Sequence, residues 1–158
     1  MAKDKLRVGM VCGAGIGASH VTCWMSLEKT AKITAVMDVD AELAKNTAHM
    51  SGDVPWTTSL DELLARDDVD AVDICSPPFA HADQVVAAAK AGKHVLCEKP
   101  FTVNLDDADR AIAACKQAGV KLMLAFPRPY SAATRRLKEM IETEELGKPI
   151  RIYAAHHM

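Results

Sequence analysis

The sequence predicts an α/β protein of the doubly wound class, with a mostly parallel sheet and helices on both of its faces. Three observations predict it. Short apolar runs alternate with longer helical patterns along nearly the whole chain. Those runs are almost continuously apolar rather than alternating, as strands buried on both faces are. The first run ends in a glycine-rich turn, Cys12-Gly13-Ala14-Gly15-Ile16-Gly17-Ala18, which leads into a helical pattern. A closed barrel of eight strand–helix units would need more chain than 158 residues supply.

Each element has its own signal. Leu6 to Cys12 reads as the first strand and Ile16 to about Lys29 as the first helix. Ile33 to Met37 is the second strand, ended by Asp38, and Ala41 to Met50 the second helix. Val54 to Thr57 is a weak short strand. Ser59-Leu60-Asp61-Glu62 has capping-box spacing, and Leu60, Leu63 and Leu64 give the helix that follows an apolar face. Ala71 to Cys75 is an apolar strand ended by Ser76-Pro77-Pro78. Ala80 to Ala91 is an alanine-rich helix that Gly92 closes. Val95 to Cys97 is a buried strand running into Glu98-Lys99-Pro100. A helix over Asp106 to Gln117, closed by Gly119, precedes a strand over Val120 to Phe126. Ser131 to Glu142 is a helix with Leu137, Met140 and Ile141 on its apolar side, and Pro149 to Ala155 starts one more strand.

Composition narrows the function classes. The apolar share of 49% and the charged share of 25% are ordinary for a globular protein. A formal net charge of −2 offers no basic surface to nucleic acid or to an anionic membrane. No apolar stretch is long enough for a membrane span, and the N-terminus lacks a signal-peptide pattern. Cys12, Cys23, Cys75, Cys97 and Cys115 form an odd, widely spaced set without a C-x-x-C. They read as reduced thiols, which places the chain in the cytoplasm. The terminal pair His156-His157 does not make a metal site, so none is expected.

Three places carry chemistry. In the glycine-rich turn, glycines permit a tight bend and close approach of the backbone to a pyrophosphate, with a helix N-terminus facing the phosphates. Read as G-x-G-x-x-A, the fingerprint is Gly13, Gly15 and Ala18. Asp38 ends the second strand, slightly beyond the expected interval of about 20 residues to an acidic residue that accepts ribose hydroxyls. A carboxylate there repels a 2′-phosphate, and Val39-Asp40-Ala41-Glu42 brings no Arg or Lys, so NAD is favoured over NADP. Asp38 could instead cap the next helix, although Asp40 is the better candidate for that cap. Glu98-Lys99-Pro100 puts a charged pair at the carboxyl end of a strand, where open α/β sheets hold their ligands. A lysine there can supply positive charge or a proton to an oxygen that changes charge during reaction; the alternative is a pair of solvated loop charges.

With these residues assembled, the chain resembles the N-terminal domain of the glucose–fructose oxidoreductase / inositol dehydrogenase (Gfo/Idh/MocA) family along nearly its whole length. The resemblance rests on the glycine-rich turn followed by His20, on Asp38, and on Asp70-Ala71-Val72-Asp73. It rests further on Ser76-Pro77-Pro78 with His81, and above all on Gly92-Lys93-His94-Val95-Leu96-Cys97-Glu98-Lys99-Pro100. It implies an NAD(P)-dependent oxidoreductase that moves a hydride between nicotinamide and a sugar, a polyol or a related hydroxy compound. By the resemblance, Lys99 is the catalytic residue beside the nicotinamide, and Glu98 contacts the cofactor or orients the lysine. Gly13, Gly15, Ile16, Gly17, Asp38, Ser76, Pro77 and His81 line the cofactor; His81 could equally make only a local hydrogen bond.

Two departures accompany the resemblance. Aligned without a gap through Val8 and Ile16-Gly17 to His20, the family's first two glycines fall on Cys12 and Ala14. Moving the frame by one restores Gly13 and Gly15 but shortens the turn before His20. Cβ atoms at those positions are expected to weaken cofactor binding. After Phe126, Pro129 precedes Tyr130 where the family often has Arg, so that arginine's role is not carried over to Arg128.

The resemblance also sets domain expectations. Residues 1–125 form the dinucleotide-binding domain, and residues 126–158 a helix and strand leading toward the family's second α/β domain, which lies outside this sequence. That domain covers the substrate in the family, so turnover by these 158 residues alone is expected to be negligible. The alternative functions are an NAD(H)-binding module without chemistry and an interaction subunit. Self-association into a homo-oligomer is a further expectation, through apolar surface left uncovered and the edge over Ile150 to Ala155.

Overall fold

A computed structural model describes residues 5–12, 14–145, 147–151 and 153. The chain divides into two compact units, residues 1–125 and residues 126–158.

The first unit is a six-stranded sheet built of β1 (Leu6–Val11), β2 (Ala31–Met37), β3 (Trp56–Thr57), β4 (Ala71–Ile74), β5 (His94–Glu98) and β6 (Leu122–Ala125). The strand order is β3-β2-β1-β4-β5-β6, and every pairing is parallel. Five helices connect the strands: α1 (Ile16–Ser26), α2 (Ala41–Met50), α3 (Leu60–Leu64), α4 (Pro78–Lys90) and α5 (Leu105–Ala118). The doubly wound architecture expected from the alternating pattern is the one observed.

Side chains sort the core to the two faces of the sheet. Val11, Val72, Ile74, Val95 and Cys97 pack with Val85, Ala88 and Ala111 of α4 and α5. Val8, Met10, Ile33 and Val36 pack with Val21 of α1 and Ala48 of α2. The β1–β2 register skips a residue between Val8↔Ile33 and Gly9↔Ala35. The extra residue is Thr34, whose hydroxyl donates to the Asp68 carbonyl at 2.8 Å. This bulge lets Ile33 and Val36 share one face while Ala35 and Met37 serve the other.

Caps fix the helix starts. Asp40 accepts from the N–H groups of Glu42 and Leu43 at 2.8 and 3.2 Å and begins α2. Asn104 accepts from the Asp107 N–H at 2.8 Å and begins α5. α4 starts at Pro78, two residues before the expected Ala80, because a proline in the first helical turn gives up no needed donor. α1 stops at Ser26 rather than near Lys29, and the chain turns through Thr30 N–H to Leu27 O at 2.8 Å. β6 is shorter than Val120 to Phe126, since the Val120 N–H returns to the Cys115 carbonyl to close α5.

Among its described residues the second unit holds a 3₁₀ turn over Arg128–Tyr130 and α6 (Ala132–Glu142), which Ser131 caps through the Thr134 N–H at 3.1 Å. The strand expected from Pro149 is not formed at Pro149, Ile150, Arg151 or Tyr153. Among the described residues no strand of this unit offers it a hydrogen-bonding partner. Ile152, Ala154 and Ala155, the rest of that expectation, lie outside the described residues.

Candidate functional site

Strand order reverses between β1 and β4, each of which has its chain successor on its far side. The loops leaving their carboxyl ends therefore diverge, and ligands of open α/β sheets sit in that crevice. The turn after β1, Asp38 after β2, Ser76-Pro77 after β4 and Glu98-Lys99 at the end of β5 all lie along this carboxyl edge.

The turn after β1 is built around two constraints. Cys12 has φ +62°, a conformation that favours glycine, and its N–H donates to the Met37 carbonyl at 2.8 Å. Gly17 sits in the first turn of α1 with its N–H on the Ala14 carbonyl at 3.0 Å. A Cβ on Gly17 would lie 2.3 Å from the Cys12 carbonyl oxygen, so only glycine lets the helix start this close to the strand. Cys12 and Gly15 both take left-handed backbone, and Gly17 is a position of close packing against the strand. Ala18 does not occupy the close-packing position that the G-x-G-x-x-A reading gave it. Gly15, at φ +58°, precedes α1 with no atom within 4 Å of the place its Cβ would take. Ile16 opens the helix and is exposed. Gly13 lies outside the described residues.

Asp38 is buried at the end of β2, where its Oδ1 accepts from the Asp40 N–H at 3.1 Å. The helix cap belongs to Asp40. Burial first, and then the Asp38 charge, push the Cys12 thiol up to about 11, so it stays neutral near pH 7.

Ser76 donates its hydroxyl to the Gln84 side-chain carbonyl, and Pro77 precedes α4 in an extended conformation. His81 is fully buried. Its Nε2 lies 2.7 Å from the Ser76 carbonyl, and its Nδ1 lies 3.1 and 3.0 Å from the carbonyls of Pro100 and Phe101. Main-chain oxygens thus occupy both ring nitrogens. His81 ties the loop after β4 to the segment after β5, the local hydrogen-bonding role that its sequence position left open.

At the end of β5, Glu98 is buried and Lys99 is exposed. Glu98 Oε2 accepts the Lys99 N–H at 2.7 Å, and its Oε1 lies 3.2 Å from His20 Nε2. The other His20 nitrogen, Nδ1, lies 2.8 Å from Asp73 Oδ2. That same oxygen accepts the Trp24 indole N–H at 2.6 Å, and Asp73 Oδ1 receives the Cys75 thiol at 3.6 Å. Asp73 is wholly buried on β4, on the sheet face that α1 covers. The hydrogen bond to Asp73 raises the pKa of His20 above the ordinary 6.5; burial opposes this, and the Glu98 carboxylate adds to it. His20, Asp73 and Cys75 present ligand-type atoms within 4.8 Å of one another. The hydrogen bonds from His20, Trp24 and Cys75 already satisfy the Asp73 oxygens.

Sequence reasoning singled out His20 and Asp73 only as marks of resemblance and did not assign Trp24 any part in the site. The signal was an aspartate inside the apolar run Ala71-Val72-Asp73-Ile74-Cys75, matched by His20 and Trp24 one helical turn apart.

A parallel sheet in this order, with a glycine-bearing turn at its switch point and an acidic residue after the second strand, defines a dinucleotide-binding protein of the Rossmann class. The chain belongs to the Gfo/Idh/MocA family: residues 6–126 match its model, described as an oxidoreductase family with an NAD-binding Rossmann fold. It is 35% identical over 144 residues to myo-inositol 2-dehydrogenase of Thermotoga maritima, covering 91% of this chain and 43% of that enzyme. Among solved structures it is similar to the WlbA dehydrogenase of Bordetella pertussis, in complex with NADH and UDP-GlcNAcA, at TM-score 0.86 and 27% identity. That match covers 93% of this chain and 42% of the other. A Desulfitobacterium hafniense oxidoreductase provisionally assigned as NADPH-dependent superposes at TM-score 0.88 and 27% identity, covering 92% of this chain and 42% of that one. The chain therefore spans about two fifths of the length of these relatives. No helix among the described residues is long and apolar enough to cross a membrane.

Proposed function

We propose that the chain is the nucleotide-binding part of an NAD-dependent dehydrogenase that acts on a sugar, a polyol or a related hydroxy compound, with residues 1–125 as the cofactor domain. The observation that carries this reading is the convergence on one sheet edge of the turn after β1, Asp38 after β2 and Lys99 after β5. The residues present fit a dinucleotide. Gly17 allows α1 to begin against the strand, and the space beside Gly15 is open for a phosphate to approach the backbone. Asp38 can accept ribose hydroxyls, and its charge disfavours a 2′-phosphate.

When bound, the nicotinamide supplies the hydride chemistry. The other steps belong to this chain's residues. The turn from Cys12 to Gly17 and the N-terminus of α1 hold the pyrophosphate. Ser76 and Pro77 shape the wall of the crevice, and His81 holds that wall against the segment after β5. Lys99 would stabilise negative charge on the substrate oxygen. Glu98 fixes the lysine's main chain. The free thiols of all five cysteines agree with a cytoplasmic setting.

A thermal melt with nucleotide tests the binding step. NAD at about 100 times its Kd stabilises the native chain by about 2.7 kcal/mol, which appears as a raised Tm. Asp38→Ala weakens that shift for NAD and relaxes the preference over NADP. Absence of any shift with either nucleotide at millimolar concentration overturns the reading and favours an interaction domain. The Cβ atoms on Cys12 and Ala14 favour a second reading, an NAD(H)-binding module without chemistry. The two separate at Lys99→Ala in a protein completed by a family second domain: turnover is lost on the first reading and there is none to lose on the second.

A further inference from the structure

We propose that His20 is a positioning residue for Lys99: donating from both ring nitrogens, it clamps Asp73 of β4 and Glu98 of β5 and so holds the carboxylate that receives the Lys99 amide. The inference rests on the proposed place of Lys99 at the reacting carbon. Two bonds define it, His20 Nδ1 to Asp73 Oδ2 at 2.8 Å and His20 Nε2 to Glu98 Oε1 at 3.2 Å. Both partners are carboxylates, and an ionised carboxylate only accepts. A neutral imidazole carries one N–H and can satisfy one of them; the protonated ring satisfies both. The remaining Glu98 oxygen takes the Lys99 N–H at 2.7 Å, so the orientation of one side chain sets the main chain that carries the lysine.

Each hydrogen-bonding partner around the ring, among the described residues, has a defined part. From β4, Asp73 faces Nδ1, and Cys75 adds a thiol that donates to Asp73. From β5, Glu98 faces Nε2. From α1 itself, Trp24 donates to the Asp73 oxygen that His20 shares. The two acids raise the pKa of His20. The His20 side chain is 15% exposed, that of Asp73 0% and that of Glu98 9%, so losing the ring's second proton would leave a buried carboxylate facing a lone pair. As pH rises through the pKa of His20, the Nε2–Glu98 bond is the one without a shared partner. It opens first, and Glu98 releases the Lys99 amide.

The test is a pH titration of the 158-residue chain followed by NMR. The His20 ring nitrogens and the Lys99 amide proton are expected to move with one shared midpoint above pH 6.5, the ordinary histidine value. In His20→Gln, which carries no titrating proton, the Lys99 step is lost, while the methyl signals of Val8, Met10 and Ile33 report an intact core. Separate midpoints in the wild-type chain overturn the proposal, even if the variant fails to fold. A Lys99 step that persists in folded His20→Gln overturns it as well. Calorimetry with NAD on the same wild-type sample keeps the two readings apart. A shared midpoint without NAD binding supports the His20–Lys99 coupling and overturns the nicotinamide role of Lys99.

Discussion

Cys12 adopts φ +62° at the place where a dinucleotide turn ordinarily has glycine, so the chain keeps the turn and bears the Cβ. A left-handed backbone costs a non-glycine residue about 1–2 kcal/mol. Replacement by glycine relieves that cost and adds unfolded-state freedom worth about 0.5–1 kcal/mol. The relief is the larger effect, so Cys12→Gly should raise stability by up to about 1 kcal/mol in a urea melt and tighten NAD binding. A loss of stability would show that packing of the half-buried thiol outweighs the strain. The sequence allows either frame of the fingerprint, because glycines stand at 13, 15 and 17. The backbone at Cys12 is set by its bond to Met37 on the neighbouring strand and by the approach of α1. Neither is a local property of the turn. The strand-end positions of Asp38 and Lys99 were legible because their strands were, and a residue at a strand's carboxyl end is placed by the strand.

The first turn of α1 depends on Gly17. An added Cβ would meet the Cys12 carbonyl at 2.3 Å, and that atom is main chain held by the sheet. Gly17→Ala must therefore move the helix, at a cost of about 1–3 kcal/mol by analogy with overpacked cores. His20 and Trp24 ride on the same helix, so the variant should also shift the His20 ring signals and the Trp24 fluorescence. A stability change below about 0.5 kcal/mol, the usual range of a surface substitution, would show that α1 accommodates the methyl group. α2, whose start carries its own chemistry, was read with its observed bounds: it runs from Ala41 to Met50 behind the Asp40 cap, as expected. Elements that need a neighbour were not. The run from Pro149 is apolar enough for a strand, but a strand also needs a ladder partner, and apolarity does not reveal one. The bulge at Thr34 was invisible for the same reason, since it is a relation between two strands.

Two ion-paired clusters give the whole molecule a stability that depends on pH from both sides. His20, held between Asp73 and Glu98, has a native pKa above its unfolded value of 6.5. Its contribution is therefore complete below about pH 6.5 and is lost as pH rises through the native value. Asp70 behaves in the opposite sense. Arg7 donates to it from Nε at 2.9 Å and from its main-chain N–H at 3.0 Å, and the guanidinium holds the carboxyl down at about 2, against an ordinary 3.8. That contribution is complete above about pH 4 and fades as pH falls toward 2. The Arg7 and Asp70 side chains are 38% and 33% exposed, so solvent screening keeps the pair near the usual surface range of about 0.2–1 kcal/mol, and its paired geometry favours the upper end. The His20 cluster is far more enclosed and should shape the steeper limb. Urea melts across pH should thus place maximal stability between about pH 4 and 6.5, with a shallow acid limb and a steeper alkaline one. Asp70→Asn should flatten the acid limb and His20→Gln the alkaline limb, because among the described residues the hydrogen bonds of the two clusters share no partner. An alkaline limb that stays as steep in His20→Gln would mean that another group governs it, and the clamp on β4 and β5 would then hold without the His20 proton.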